Sequence, residues 1–208
     1  MTICLLADDS QSMAGQAAAE ATEAIRDFVA LLQSSCAGRG SCFRLLLIKF
    51  GDFPTVLSDS LPILDLDPQR IEIAGTSGGT DIAGALELAG RRFSTSASAA
   101  GALPPLVLLY SDGRPTGADP LPVSQEIKAM AYPAGQHPLL VTCGFGEADE
   151  TLLRSLATSS DHYRRLSHPS EIRQFLTIVG TSVSTVTTEG RPTEAVWLGL
   201  GRALARAA

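Results

Sequence analysis

Short apolar runs alternate along this chain with longer stretches of helical period, and that alternation limits the fold more than any other feature. Ile3-Cys4-Leu5-Leu6-Ala7 is the first run and ends at Asp8-Asp9. Ala18, Ala21, Ile25, Phe28 and Leu32 then step by three and four, which gives one apolar stripe along a helix. Residues 42–50 read as the next strand, and residues 54–63 as its antiparallel neighbour, with Pro54 and Pro62 suited to an edge. Ile82, Ala85, Leu86, Ala89 and Phe93 mark a second helix, followed by a small-residue linker from Ser94 to Ala102. Strands are expected at 105–110, 138–143 and 162–166, and helices near 120–132, 149–157 and from Ser170 onward. Apolar strands joined through amphipathic helices imply an α/β three-layer sandwich: a mostly parallel central sheet, one antiparallel edge strand, and helices on both faces. Such sheets bind ligands beyond the C-terminal ends of their strands.

Composition narrows the partners. The chain has 208 residues, enough for one large domain with a substantial core. Its net charge is −6, and its only lysines are Lys49 and Lys128. An acidic, lysine-poor surface argues against nucleic acid. No apolar run approaches the roughly 18–20 residues of a membrane helix, and Met1-Thr2 leads straight into the first strand without the basic start of a secretory signal. Cys4 and Cys143 lie in apolar runs. Cys36 and Cys42 flank a Gly-rich turn at a spacing that matches no zinc pattern. The expectation is four free thiols in a reducing cytoplasm.

Three polar clusters sit where a parallel sheet would present them. Asp8-Asp9-Ser10-Gln11-Ser12 follows the first strand, Thr80 opens the second helix, and Asp112 follows the most apolar strand. Together, Asp8, Ser10, Ser12, Thr80 and Asp112 offer two carboxylates and three hydroxyls, with no thiolate. An all-oxygen set suits a hard cation such as Mg²⁺ or Mn²⁺. Two carboxylates leave such an ion about neutral and coordinatively open, and an open position attracts an Asp or Glu from another molecule.

The pattern resembles the von Willebrand factor type A (VWA) family. Its metal-ion-dependent adhesion site (MIDAS) reads Asp-x-Ser-x-Ser, then Thr, then Asp. Asp8, Ser10 and Ser12 match the first element, Thr80 in Gly78-Gly79-Thr80-Asp81 the second, and Asp112 in Asp112-Gly113-Arg114-Pro115-Thr116 the third. Gln11 stands where Gly is common, and Gly117 where Asp is frequent; neither change removes a ligand oxygen. The resemblance covers roughly residues 3–189, which sets a domain at 1–189 and leaves 190–208 as a C-terminal tail. It implies a Rossmann-like fold and an interaction module rather than an enzyme. Gly144-Phe145-Gly146, Leu152-Leu153-Arg154-Ser155-Leu156 and the Ser/Val-rich close after Phe175 are similar to the bacterial tellurium-resistance, TerY-like branch. That likeness implies a stress-response or Ser/Thr phosphorylation signalling system with a Ser/Thr kinase and a PP2C-type phosphatase as partners, and Ser94–Ser98 as acceptors.

Other readings use the same residues. Asp8-Asp9-Ser10 would also serve as a helix cap, Asp9 especially. A receiver-like phosphoacceptor domain opens with an acidic pair but needs a Lys after a later strand, and Lys49 and Lys128 are expected inside a strand and a helix. A serine hydrolase built on Ser77 needs a base; His137, His162 and His168 are expected at the surface, as are Arg164-Arg165. The glycines at 75, 78 and 79 are expected to let backbone approach an ion.

Overall fold

A computed structural model describes residues 1–38, 42–95, 102–189 and 193–206, and the side chains within them except at 134, 185–189, 193–197 and 205. Six strands form one sheet: β1 (Thr2–Asp8), β2 (Arg44–Phe50), β3 (Thr55–Pro62), β4 (Leu106–Ser111), β5 (Leu139–Gly144) and β6 (Tyr163–Arg165). Their order is β3-β2-β1-β4-β5-β6. Every neighbouring pair is parallel except β2–β3. The helices are α1 (Gln16–Cys36), α2 (Ile82–Ser94), α3 (Leu121–Ala129), α4 (Glu150–Leu156), α5 (Glu171–Glu189) and α6 (Thr193–Arg206).

The period-2 alternation of the central strands divides the core. Ile3, Leu5 and Ala7 of β1, with Leu106, Leu108 and Tyr110 of β4, face a layer that includes Phe28 of α1, Phe175 of α5, and Leu200 and Leu204 of α6. Cys4 and Leu6, with Val107 and Leu109, face Leu86 and Phe93 of α2, Ile127 of α3 and Leu153 of α4. The three layers are those expected. Lys128 has a structural role. Its ammonium reaches the carbonyls of Ser155, Leu156 and Ala157 at 3.1–3.3 Å, where α4 ends and its orphan acceptors gather.

Several expectations are corrected. Cys36 and Cys42 are not free: they form a disulfide, with Cα atoms 5.8 Å apart. The last residue of α1 lies beside the chain entering β2, a neighbourhood that comparison with zinc spacings does not reveal. The remaining thiols, Cys4 and Cys143, are buried, which pushes their pKa values well up and leaves them unreactive. His162 and Arg164 are buried rather than at the surface. His162 Nδ1 shares a 2.8 Å hydrogen bond with the Ser159 hydroxyl, and Arg164 donates to the Leu204 carbonyl at 3.2 Å. Both lie under α6, which packs along α5 and β6. The Trp197 side chain, residues 190–192 at the start of the tail and the acceptors 96–98 lie outside the described residues.

Alkylation of denatured, unreduced protein should label two of its four cysteines, and reduction should expose the other two. Reduction should cost about 2 kcal/mol in a denaturant melt, the loop-closure value for so short a loop.

Candidate metal centre

Strand register assembles the centre. Asp8 of β1 is level with Phe50 of β2, and Ala7 with Tyr110 of β4, so Asp8 and Ser111 end their strands side by side. The Asp8 carboxylate is fully buried and held from two directions. It accepts from the Ser10 N–H at 2.9 Å on Oδ1 and from the Ser111 hydroxyl at 2.5 Å on Oδ2. Ser10 and Ser12 share a hydrogen bond between hydroxyls at 3.0 Å, and the Ser12 hydroxyl donates to Asp112 Oδ1 at 2.7 Å. Thr80 faces the same spot: a side chain in place of Gly113 would put its first carbon 3.2 Å from the Thr80 hydroxyl and 3.8 Å from that of Ser12. The five expected residues therefore converge on one place from three segments.

Among the described residues, no three His, Cys, Asp or Glu side chains gather where they could hold a metal. The candidate centre is consistent with that, since hydroxyls supply three of its five donors. An all-oxygen set of two carboxylates and three hydroxyls fits a hard divalent cation. Ser10 makes no side-chain cap to the short turn after it, so the helix-cap reading does not describe its hydroxyl.

Residues that the motif omits hold those donors in place. Asp9 is not a helix cap. Its Oδ1 accepts from the N–H groups of Ala74 and Gly75 at 2.7 and 2.8 Å, and its Oδ2 pairs with Lys49 at 2.9 Å. Ser77 continues the attachment, donating its N–H to the Asp9 carbonyl and accepting from the Gln11 N–H. Thr116 fixes Thr80 by a reciprocal pair: the Thr80 N–H donates to the Thr116 hydroxyl at 2.8 Å, and the Thr116 N–H to the Thr80 carbonyl at 3.0 Å. Asp52 accepts from the Gly78 N–H at 2.9 Å, and Asp81 caps α2 through the Gly84 N–H. Ser111 and Thr116 flank the Asp112 motif and were visible there without an assigned role. The partners of Asp9 are 40 and more residues away, and no local signal names them. The loop glycines also have packing roles: Gly75, at φ +66°, packs on the backbone of Met13 and Ala14, and Gly79 fits between Asp52 and Thr116. At both positions a side chain would collide with its neighbours, so the loop packs as it does only with glycine.

Burial pushes the Asp8 carboxyl above its ordinary value; hydrogen bonds from Ser10 and Ser111 oppose that, and Asp112 adds to it. Burial also raises Asp112, against the hydrogen bond from Ser12. A carboxyl raised on folding contributes stability that is fully present below its ordinary value of 3.8 and is lost as pH rises through the raised value. At neutral pH, paired charges without a cation therefore oppose folding.

A model of the von Willebrand factor type A domain matches residues 2–178, and the chain belongs to that family. VWA domains commonly use a MIDAS to bind a divalent cation, and the candidate centre is formed by the residues whose pattern resembles that motif. Among similar solved structures is proximal thread matrix protein 1 from the mussel byssus, described with a zinc-occupied MIDAS motif; it is 21% identical, with a TM-score of 0.60, over 86% of this chain and 46% of that one. The pilus adhesin SpaC from Lactobacillus rhamnosus GG is 14% identical, with a TM-score of 0.73, over 89% of this chain and 30% of its own. The vWF domain of the type V pili tip protein Mfa5 from Porphyromonas gingivalis is 16% identical, with a TM-score of 0.67, over 93% and 98%. This chain thus spans about half of the mussel protein and under a third of the adhesin, and at these identities the likeness is one of fold. No curated protein matches the sequence.

Two outcomes are expected of variants here. Asp112→Asn should raise the melting temperature of metal-free protein at pH 7, and the gain should vanish as pH falls below the ordinary carboxyl value of 3.8. Asp9→Ala strands two N–H groups and the half-shielded Lys49 ammonium, and should cost about 2–3 kcal/mol by denaturant unfolding, with Asp9→Asn costing less.

Proposed function

We propose that this domain is a metal-dependent protein-interaction module rather than an enzyme. The convergence of Ser10, Ser12, Thr80, Asp8 and Asp112 supports it. Ser10, Ser12 and Thr80 would hold Mg²⁺ or Mn²⁺ through hydroxyl oxygens; Asp8 and Asp112 would supply charge, Asp8 largely through the groups bonded to it. Bound there, the cation offers an open position to an Asp or Glu of a partner. Arg114 favours the same ligand. It is exposed two residues beyond Asp112, and among the described residues no hydrogen bond or ion pair holds it.

The alternatives lose their residues to other roles. A receiver-like phosphoacceptor needs a lysine near its acids, and Lys49 is committed to Asp9 while Lys128 holds the end of α4. For a hydrolase, the Ser77 side chain lies against Gly51. The Ser–His contact among the described residues, Ser159–His162, is a local turn under α6.

A role in a tellurium-resistance or other stress-response system, with a Ser/Thr kinase and a PP2C-type phosphatase, rests on the sequence features from Gly144 onward. The compartment is a separate question. Among the described residues no helix is long and apolar enough to cross a membrane. A reducing cytoplasm suits Cys4 and Cys143, whereas the Cys36–Cys42 bond persists in an oxidising one.

Calorimetry on metal-stripped protein tests the proposal. Wild type should bind Mg²⁺ and Mn²⁺, and Asp112→Ala should weaken both at least tenfold while remaining folded. Equal affinity in the two proteins would place any cation elsewhere.

A further inference from the structure

Phe53 has the greatest exposure of any large apolar side chain described, 81%. It occupies the turn between β2 and β3, at the same end of the sheet as Asp8 and Asp112. That turn is tied to the candidate centre. The Asp81 N–H donates to the Gly51 carbonyl at 2.8 Å, the Gly78 N–H to the Asp52 carboxylate at 2.9 Å, and the Asp9 N–H to the Phe50 carbonyl at 2.7 Å. Gly79 is wedged so closely between Asp52 and Thr116 that a side chain there would come within 2.9 Å of both. The residues just before Phe53 are therefore fastened to the segment that carries Thr80. An exposed aromatic side chain therefore stands in the turn fastened to that segment, at the same end of the sheet as the centre. Turns favour Gly, Asn and Asp for backbone reasons, and folding gains little from an exposed Phe there.

We propose that Phe53 is a specificity-determining contact of the metal centre, and that the partner is a protein segment presenting an Asp or Glu to the cation with an apolar side chain a few residues away to cover the Phe53 ring. This rests on the metal-dependent reading above. The two contacts select by different physics. The carboxylate answers the charge of an open cation beside Arg114, and is common to many acidic surfaces. The apolar contact distinguishes among those surfaces, because aromatic anchors carry a large share of interface energy.

A fully randomised linear peptide library, displayed on phage, would be panned on the full chain in Mg²⁺, with wild type, Phe53→Ser and Asp112→Ala in parallel. Wild type should enrich an Asp or Glu with an aliphatic or aromatic residue at a fixed offset, and chelator should release the binders. Phe53→Ser should keep the acid and lose the offset preference. Synthetic peptides from the wild-type pool should bind it about tenfold or more weakly, while its melting temperature and Mg²⁺ affinity are unchanged. The same apolar preference on Phe53→Ser, or acid alone on wild type, would overturn the proposal and leave the metal reading intact. Binders insensitive to both chelator and Asp112→Ala, or no binders, would remove both. Mg²⁺-dependent self-association of wild type in sedimentation, abolished by Phe53→Ser, would make a second copy of this chain the occupant and overturn the peptide proposal.

Discussion

The carboxylate of Asp9 is the joint on which the centre depends. It joins the end of β1 to Lys49 on β2 and to the backbone at Ala74 and Gly75, where the chain turns toward Thr80. Neighbouring side chains at a strand end point to opposite faces. Asp8 therefore turns to Ser10 and Ser111, while Asp9 turns to the loop. One dipeptide thus supplies both a charge of the centre and the clamp that positions a donor from another segment. Removing the first charge would relax the metal-free fold, whereas removing the second would loosen it.

That contrast is a physical signature of a site kept for binding. Two carboxyls are buried close enough for Asp112 to disfavour ionisation of Asp8, and each is held by hydroxyl and amide donors. Hydrogen bonds alone do not repay the burial of charge. A fold optimised only for stability would replace one acid, and the local cost is of the kind found at functional sites.

The two sheet edges are managed differently. At β6, three residues long, α6 packs alongside, with Leu200 and Leu204 in the core and the Leu204 carbonyl accepting from buried Arg164. At β3, pairing with β2 is irregular, and Ser60 takes φ 53°. Such irregularity discourages pairing with a further strand. Among the described residues no further strand pairs with β3, and Phe53 lies in the turn that leads into it.

Element order, the layered class and the convergence of five oxygen-bearing residues were legible in the sequence because they depend on local periodicity and on motifs a few residues long. The apolar runs at 3–7 and 105–110 become β1 and β4, and Asp-x-Ser-x-Ser keeps its meaning as a string. Other features were not legible because their partners are distant in sequence. Arg164 looks solvated until α6 lies over it; Cys36 and Cys42 look unpaired until α1 ends beside β2. Lys49 and Lys128 look idle until Asp9 and the end of α4 come within reach. Periodicity and short motifs were enough to say which oxygens could gather and on what kind of scaffold. What holds those oxygens emerged only in the folded chain, because strand register sets which chain ends meet, and burial sets what each charge costs once they do.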